Sequence, residues 1–274
     1  MKGRTVQAIA VNGVLAIAAL LTVAPLLWMV AASLMRSGEA SSFPPPLLPS
    51  APTLDHYRAL IVQGGIVRQF VNSLGLAIAA TLLSTTFNTL AGYAFAKLHF
   101  SGRDQLFAAL IGALVIPGQV AMLPLFLMLK SMGLVNSYAG VLVPSLASIF
   151  GIFLVRQYAR GIPDELIEAA RMDGAGEFRI FFSVVLPLLT PVLATLAVFA
   201  FLGSWNDFMW PLIVLTDGEL HTLPVALASL SREHVQDSEL MMAGAVITVL
   251  PVLALFLVLQ RYYLQGLTMG GVKQ

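Results

Sequence analysis

A short polar cluster interrupts an apolar stretch of the chain, and its residue types could bind a hydroxyl-rich ligand. Its members are Ser204, Trp205, Asn206 and Asp207, with Trp210 a turn later. Amide and carboxylate groups hydrogen-bond hydroxyl groups, and aromatic rings can cover the apolar faces of a sugar. Asp207 is the only acidic residue in the membrane spans predicted below, and an ionisable group at such depth indicates a functional site. The cluster could instead be an interfacial girdle, because Trp and charged residues also mark the headgroup level.

A second candidate site is a polar, helix-forming segment at residues 156–183. Pro163 suits the first helical position, where its missing N–H is not needed. Asp164 and Glu165 follow and put negative charge on the positive end of the helix dipole. Gly174 can adopt the left-handed conformation that ends a helix. The pattern therefore predicts a short helix that begins near Pro163 and ends at Gly174.

This short helix is predicted to have two faces. One face carries Leu166, Ala169, Ala170 and Asp173, and the other carries Glu165, Glu168 and Arg171. Glu168 and Arg171 can pair because residues three apart are neighbours on a helix. Small alanine side chains would let a soluble partner protein approach closely. The alternative is a helix lying on lipid headgroups, for which Lys-rich flanks are expected.

Composition places the whole chain in the membrane class. Of 274 residues, 58% are apolar and only 11% are charged. No Asp, Glu, Lys or Arg occurs in residues 5–35, 69–96, 105–129, 131–155, 180–206 or 240–260. About 20 helical residues cross a hydrocarbon core of about 30 Å, so each window can hold one span. We predict an all-α integral membrane protein, a single domain over residues 1–274, with helices at about residues 9–34, 70–96, 106–129, 137–155, 184–215 and 240–259.

The basic residues predict the orientation of these helices. Ten of the 15 Lys and Arg residues lie on one side if both termini are cytoplasmic, which satisfies the positive-inside rule. Residues 156–183 then form a cytoplasmic loop. The first apolar run, from Val6 to Ala32, is too long for a signal-peptide core and indicates a retained helix. Outside the membrane, Asp55 to Ile61 could form a surface helix capped by Thr53 or Asp55.

Several function classes are disfavoured by the sequence. The net charge of +1 does not suggest nucleic-acid binding, and the absence of Cys excludes thiolate metal sites and Cys nucleophiles; we expect no metal site. All four His residues fall in predicted loops, which excludes an intramembrane Ser–His protease. No Gly-rich loop ending in Gly-Lys-Ser/Thr is present, so the chain does not hydrolyse ATP itself. An ion-coupled secondary transporter would need more buried charge than Asp207 provides.

Residues 168–187 resemble the cytoplasmic coupling loop of ATP-binding-cassette (ABC) importer permeases. The family pattern is Glu-Ala-Ala, three residues, Gly, nine residues, then Ile, any residue, Leu and Pro. The matching residues here are Glu168, Ala169, Ala170, Gly174, Val184, Leu186 and Pro187. Only the Ile differs, and it is replaced by Val. By this resemblance, Glu168, Ala169, Ala170, Asp173, Gly174 and Ala175 are expected to couple the chain to an ATPase.

Other segments are similar to carbohydrate-uptake permeases of the maltose type, in particular to the smaller six-helix member of the permease pair. They are TLDHYRAL (53–60), AGYAFAKLHFSGRD (91–104), SWNDFMWPLIV (204–214) and QRYYLQGLTMGGVKQ (260–274). The resemblance implies the type I ABC importer permease fold in a bacterial inner membrane. It also implies a homologous second permease, two copies of a cytoplasmic ATP-binding subunit and an external solute-binding protein. ATP and Mg would be bound by the partner subunits, and no cofactor by this chain.

The expected function is therefore the translocation path of an ATP-driven importer for a sugar or sugar-like solute. Ser204, Trp205, Asn206 and Asp207 would line the path, because the sugar-contacting residues of the family lie around the matching positions. Two alternatives stay open: an ABC importer permease for a non-carbohydrate solute, and an ion-coupled secondary transporter.

Overall fold

The structure, a computed structural model, describes residues 2–62, 64–233 and 237–270. Within these ranges all regular structure is helical. The α-helices are α1 (Lys2–Ser33), α2 (Asp55–Val62), α3 (Ile66–Lys97), α4 (Arg103–Ala113), α5 (Gly118–Ser131), α6 (Tyr138–Leu142), α7 (Ile149–Arg160), α8 (Asp164–Met172), α9 (Glu177–Ile180), α10 (Leu186–Leu188), α11 (Thr190–Trp205), α12 (Met209–Val214), α13 (Leu223–Glu233) and α14 (Ser238–Gly270). Short 3-10 turns occur at Val143–Ser145 and Gly218–Leu220, and a π-helical turn at Phe181–Val185. The end of the C-terminal motif, residues 271–274, lies outside the described residues.

The predicted all-α membrane fold is confirmed. Among the described residues, three helical segments are long and apolar enough to cross a membrane alone: Val11–Ser33, Ile66–Lys97 and Ser238–Val258. Three bent helix pairs in the same part of the chain bring the number to six if each pair is one span. Most side chains of the first segment are exposed, for example Leu20 at 67% and Leu21 at 71%. Such a surface is suited to lipid.

The span predicted at residues 106–129 consists of two helices. The structure has α4 and α5 there, with a bend of 106° between them. Pro117 stands immediately before α5 with φ −59° and ψ 130°, outside the helical region. Proline lacks the N–H that would continue the ladder of α4 and disfavours the α conformation of the residue before it. These effects account for the break in the helix.

The predicted spans at residues 137–155 and 184–215 are also interrupted. In the first, α6 and its 3-10 turn meet α7 at 41°, because Ser148 is extended and its Oγ accepts a hydrogen bond from the N–H of Gly151. In the second, residues 177–188 meet α11 at 80°. Pro191 has no N–H to donate to the carbonyl of Pro187, and the Thr190 hydroxyl donates to that carbonyl instead, at 2.8 Å.

Contacts within the chain define two compact units, and the first comprises residues 1–67 and 226–251. In this unit the loop after α1 is held by specific hydrogen bonds. The indole of Trp28 donates to the carbonyl of Pro46 at 3.1 Å. The buried carboxylate of Glu239, at the start of α14, accepts from the N–H of Ala40 at 2.7 Å. The surface helix predicted at residues 55–61 is present as α2, and Thr53 Oγ1 accepts from the N–H of Asp55.

The second unit comprises residues 68–225 and 252–274 and contains both candidate sites. One apolar cluster joins the end of α3, α7 and the segment from α8 to α11, and it consists of Tyr93, Val155, Ala159, Ile162, Ile167, Ile180, Phe181, Val185, Leu189, Val192 and Leu196. Another cluster surrounds α12 and consists of Leu76, Leu129, Val141, Trp210, Val214 and Leu215. The first cluster anchors the polar loop to the membrane helices.

Candidate functional site

The short helix predicted in residues 156–183 is α8, and its two ends are defined by the expected residues. It begins directly after Pro163. At its other end Gly174 has φ +80°, as predicted. The N–H of Ala175 donates to the carbonyl of Ala170 at 3.0 Å, and the N–H of Gly174 donates to that of Arg171 at 2.9 Å. These two bonds form a Schellman motif, which fixes the direction in which the chain leaves the helix.

The buried face of α8 was not predicted from the sequence. Ile167 is 3% exposed and belongs to the first apolar cluster, against which Ala170 and Ala175 also pack. By contrast, Leu166 is 45% exposed, and Ala169 lies on the surface. The prediction grouped Leu166 and Ala169 on the face that a partner could approach, and both are exposed. It did not consider Ile167, the residue of α8 that is buried in the apolar cluster.

The ion pair of this segment also differs from the predicted one. The Nε of Arg171 donates to Oε1 of Glu177 at 2.7 Å, and its Nη2 donates to Oε2 at 3.2 Å. The chain turns at Gly174 and brings Glu177 back towards α8, where the guanidinium fork can bind both carboxylate oxygens. Arg171 was expected to pair with Glu168, but Glu177 is its partner in the structure.

The surface of α8 and of the turn after it is open to a partner. Glu168, Ala169, Asp173 and Gly174 are exposed. Two large apolar side chains beside them are exposed as well, Met172 at 89% and Phe178 at 80%. Apolar side chains rimmed by charged ones are typical of a protein contact surface.

The second candidate site is a cavity of about 310 Å³ in the second unit. It is bordered by α3, α6, α7, α11 and the turns beside them, and its lining residues are Ala80, Ser84, Val141, Leu142, Pro144, Ser145, Ala147, Ser148, Phe150, Leu196, Phe199, Ala200, Gly203, Ser204 and Asp207. Four hydroxyl groups and one carboxylate thus face an otherwise apolar space. A cavity that is mostly apolar with a few polar groups is the usual form of a small-molecule site.

The four clustered residues predicted to line the path have different environments. Ser204 and Asp207 line the cavity. Trp205 is fully buried, and its ring packs against Phe70 at 5.6 Å and Phe201 at 5.9 Å between centroids. The amide of Asn206, directly after α11, donates to the carbonyl of Leu202 in that helix at 2.9 Å.

Two of the neighbouring residues also contribute to local structure. Trp210 is buried, and its indole N–H donates to the carbonyl of Gly140 at 3.2 Å. Asp207 Oδ1 accepts from the N–H of Trp210 at 3.3 Å at the start of α12. Asp207 therefore supports the start of α12 while it borders the cavity.

Sequence reasoning missed the aromatic residues of the cavity. Phe150 of α7 and Phe199 of α11 pack edge to face, with ring centroids 5.9 Å apart. They are 47% and 53% exposed in the described chain. Both lie in apolar stretches in which a phenylalanine is unremarkable, so only the packing of the two helices identifies them as neighbours.

Asn88 of α3 organises the serine residues of one cavity wall. It is fully buried. Its Oδ1 accepts from the N–H of Ser148 at 2.8 Å, and its Nδ2 donates to Ser84 Oγ at 2.8 Å and lies 3.4 Å from Ser148 Oγ. Asn88 thus bridges α3 and the break that precedes α7.

Replacing Asn88 by alanine should therefore destabilise the protein. The partly buried N–H of Ser148 would lose its acceptor, and the loss of one intramolecular hydrogen bond costs about 0.5–1.5 kcal/mol. We expect a lower thermal unfolding midpoint for the detergent-solubilised protein. Thr86→Ala is the matched control, because Thr86 lies on the exposed side of the same helix, where its hydroxyl donates to the carbonyl of Leu82. Equal midpoints for the two variants would contradict the proposed role of Asn88.

Among the described residues, no group of three or more His, Asp or Glu side chains could hold a metal ion. The polar and aromatic groups that line the cavity are four serine hydroxyls, Asp207, Phe150 and Phe199.

Comparison with known proteins identifies relatives of the chain. The model of the family described as binding-protein-dependent transport system inner membrane component matches residues 88–268. The arabinooligosaccharides transport system permease protein AraQ of Halalkalibacterium halodurans is 40% identical over 262 residues, which cover 93% of this chain and 92% of that protein. The lactose transport system permease protein LacG of Rhizobium radiobacter is 30% identical over 260 residues, which cover 95% and 94%.

A solved structure has the same fold. It is the crystal structure of a bacterial ABC transporter involved in the import of the acidic polysaccharide alginate. The similarity covers 96% of this chain and 98% of the matched chain, with a TM-score of 0.83 and 23% sequence identity. At this identity, the similarity supports the arrangement of the helices and not the solute.

Proposed function

The chain belongs to the family of inner membrane components of binding-protein-dependent transport systems, and from this premise we propose that it is the permease subunit through which an ATP-driven importer moves a neutral sugar or oligosaccharide. The observation that carries the proposal is the cavity bordered by Ser84, Ser145, Ser148, Ser204 and Asp207 together with the rings of Phe150 and Phe199. The relatives AraQ and LacG, whose names refer to arabinooligosaccharides and lactose, support a carbohydrate solute.

The chemistry of the cavity suits an uncharged polyhydroxylated solute. Serine hydroxyls both donate and accept hydrogen bonds, and a carboxylate accepts them from sugar hydroxyls. The exposed rings of Phe150 and Phe199 can cover the apolar face of a sugar ring. The carboxylate of Asp207 would repel an anionic solute, which favours neutral carbohydrates over uronic acids.

The segment Glu168–Gly174 would connect this path to its energy source. We propose that Glu168, Ala169, Ala170, Asp173, Gly174 and Ala175 form the contact with an ATP-binding subunit. The exposed surface of α8, with Met172 and Phe178 beside it, supports a protein partner. The pattern from Glu168 to Pro187 matches the coupling loop of ABC importer permeases.

The full transporter would contain this chain, a homologous second permease and two copies of a cytoplasmic ATP-binding subunit, with an external solute-binding protein that delivers the solute. The family description refers to such a binding protein. ATP and Mg would be bound by the partner subunits, so this chain would transport without catalysing a reaction. The chain would lie in a bacterial inner membrane with both termini in the cytoplasm, which places α8 on the cytoplasmic side.

Reversal of the charge at Glu168 should separate transport from membrane insertion. Glu168→Lys keeps a good helix former at an exposed position, so the variant should reach the membrane in normal amounts. A repulsive charge at the contact should reduce uptake of a radiolabelled neutral oligosaccharide by about fivefold or more. Glu168→Gln should fall between this variant and the parent, because it loses the charge without reversing it.

The same preparations test the function itself. A tag on this chain should recover an ATP-hydrolysing subunit from its own membrane, and less of it from the Glu168→Lys variant. Uptake driven by an ion gradient without ATP would instead indicate a secondary transporter. ATP-dependent uptake of a non-carbohydrate solute, without inhibition by neutral oligosaccharides, would support an ABC permease but contradict the proposed sugar solute.

A further inference from the structure

We propose that Lys97 is a positioning residue that joins the start of α8 to the end of α3, so that movement of α8 reaches the cavity wall; this rests on the proposed function. Lys97 is the last residue of α3, and its side chain is only 5% exposed. Its Nζ donates to the carbonyl of Ile162 at 2.5 Å and to Oδ1 of Asp164 at 2.6 Å. One ammonium group therefore binds both sides of Pro163.

Both bonds involve helix ends. Ile162 follows the last turn of α7, where the carbonyls have no partner within the helix and the dipole is negative. Asp164 is the first residue of α8 and has no side-chain cap before it. The cation of Lys97 therefore complements the end of α7 and, through Asp164, the start of α8. Three helices meet at one side chain.

The backbone contact should matter more than the ion pair. The Asp164 side chain is 73% exposed, and a pair with a partner so open to solvent contributes little to stability. Ile162 is 7% exposed and belongs to the first apolar cluster, so its position is fixed by packing. The bond from Lys97 also holds the pKa of Asp164 below its ordinary value, which keeps this carboxylate ionised and able to accept.

The link has a direct route to the cavity. Ala80 and Ser84 of α3 line the cavity, and Asn88 of the same helix holds Ser148. Since α3 is one uninterrupted helix from Ile66 to Lys97, a displacement of its cytoplasmic end is transmitted along its length. A rigid helix fastened to α8 would move this wall when an ATPase moves α8.

Spin-label distances test the link without any partner or solute. The chain has no Cys, so Leu90→Cys on α3 and Met172→Cys on α8 give one specific pair; the replaced side chains are 41% and 89% exposed. In the purified, detergent-solubilised protein, the parent pair should give a narrow distance distribution. Lys97→Met should broaden or shift it, because α8 loses its attachment to α3. An unchanged distribution with Lys97→Met would overturn the proposal.

Two further variants identify which contact acts. Asp164→Asn keeps the bond to Ile162, and Lys97→Arg keeps a charged donor; both should retain the narrow distribution. Broadening by Asp164→Asn as large as that by Lys97→Met would reject the backbone contact as the link. If Lys97→Met cannot be recovered from the membrane, Lys97→Gln replaces it. The glutamine side chain is one bond shorter and uncharged, so it should broaden the distribution, and failure to do so would also overturn the proposal.

Transport then gives the functional readout. In the full transporter, Lys97→Met should lower solute uptake per ATP hydrolysed by about fivefold or more, while Lys97→Arg should restore most of it. An unchanged ratio with Lys97→Met would reject the link even if the distances change. Absence of ATP-dependent uptake by the parent would reject the proposed function, whereas the distance measurement would still decide whether Lys97 positions α8.

Discussion

Valine at position 174 should leave the protein in the membrane but largely abolish coupled uptake. Gly174 has φ +80°, and the left-handed conformation costs an L-residue about 1–2 kcal/mol, more for a β-branched one. No atom lies within 4 Å of the position that a Cβ would occupy, so backbone strain is the effect to expect. Relief of that strain would break the Schellman bonds and turn the exposed surface of α8 away from the ATP-binding subunit that we propose as its partner. Uptake assays and recovery of the ATPase subunit measure the loss.

Gly176 provides the matched control. It lies two residues later, also has open space around its Cβ position, and has φ −72° and ψ 158°, a conformation open to any L-residue. Gly176→Ala should therefore transport normally. Normal transport by Gly174→Val, or an equal loss of uptake in the two variants, would contradict the prediction. Coupling would then not depend on the direction in which the chain leaves α8 at Gly174.

The sequence was sufficient to predict α8 because its signals are local. Pro163 marks the start, and Gly174 marks the end because glycine readily adopts the left-handed conformation. Both act through the backbone of their immediate neighbours, and the structure has both as predicted. The buried face was less predictable, since Ile167 belongs to a cluster whose members extend from Tyr93 of α3 to Leu196 of α11.

The breaks within the spans depend on more than the presence of proline. Pro25, Pro124 and Pro251 lie inside helices that continue past them. Pro117 and Pro191, by contrast, stand at bends of 106° and 80°. A membrane helix can continue past proline when other groups satisfy the freed carbonyl. Whether it does so depends on the packing of neighbouring helices, which composition and periodicity do not record.

The cavity illustrates the same limit. Ser204 and Asp207 could be identified because polar residues are rare in an apolar span. The ring of Trp205 was expected to face the solute, but it is enclosed by Phe70 and Phe201. The aromatic groups that border the cavity are Phe150 and Phe199, which come from two helices about 50 residues apart in the sequence. Their proximity is a property of the tertiary fold.

Alanine at position 92 should lower the stability of the protein substantially. Gly92 of α3 faces α7 so closely that a Cβ would lie 2.6 Å from Val155 Cβ and 3.0 Å from the backbone nitrogen of Arg156. The contact includes backbone, so a rotamer change cannot relieve it, and the two helices must separate. Overpacking of this kind costs about 1–3 kcal/mol. We expect a lower thermal unfolding midpoint of the detergent-solubilised protein.

The same helix contains its own control. Gly75 of α3 has no atom within 4 Å of its Cβ position, so Gly75→Ala should leave the midpoint unchanged or raise it, because alanine favours a helix over glycine. Val155→Gly removes the Cβ with which the new methyl collides. In the Val155→Gly background, Gly92→Ala should therefore lower the midpoint less than it does in the parent. Two results would refute the close approach of α3 and α7 at Gly92. One is a Gly92→Ala variant as stable as the parent, and the other is a Val155→Gly substitution that lowers the midpoint equally in the parent and in Gly92→Ala. Additive effects of the two substitutions would refute the contact, because substitutions at residues in direct contact should couple and those at distant residues should not.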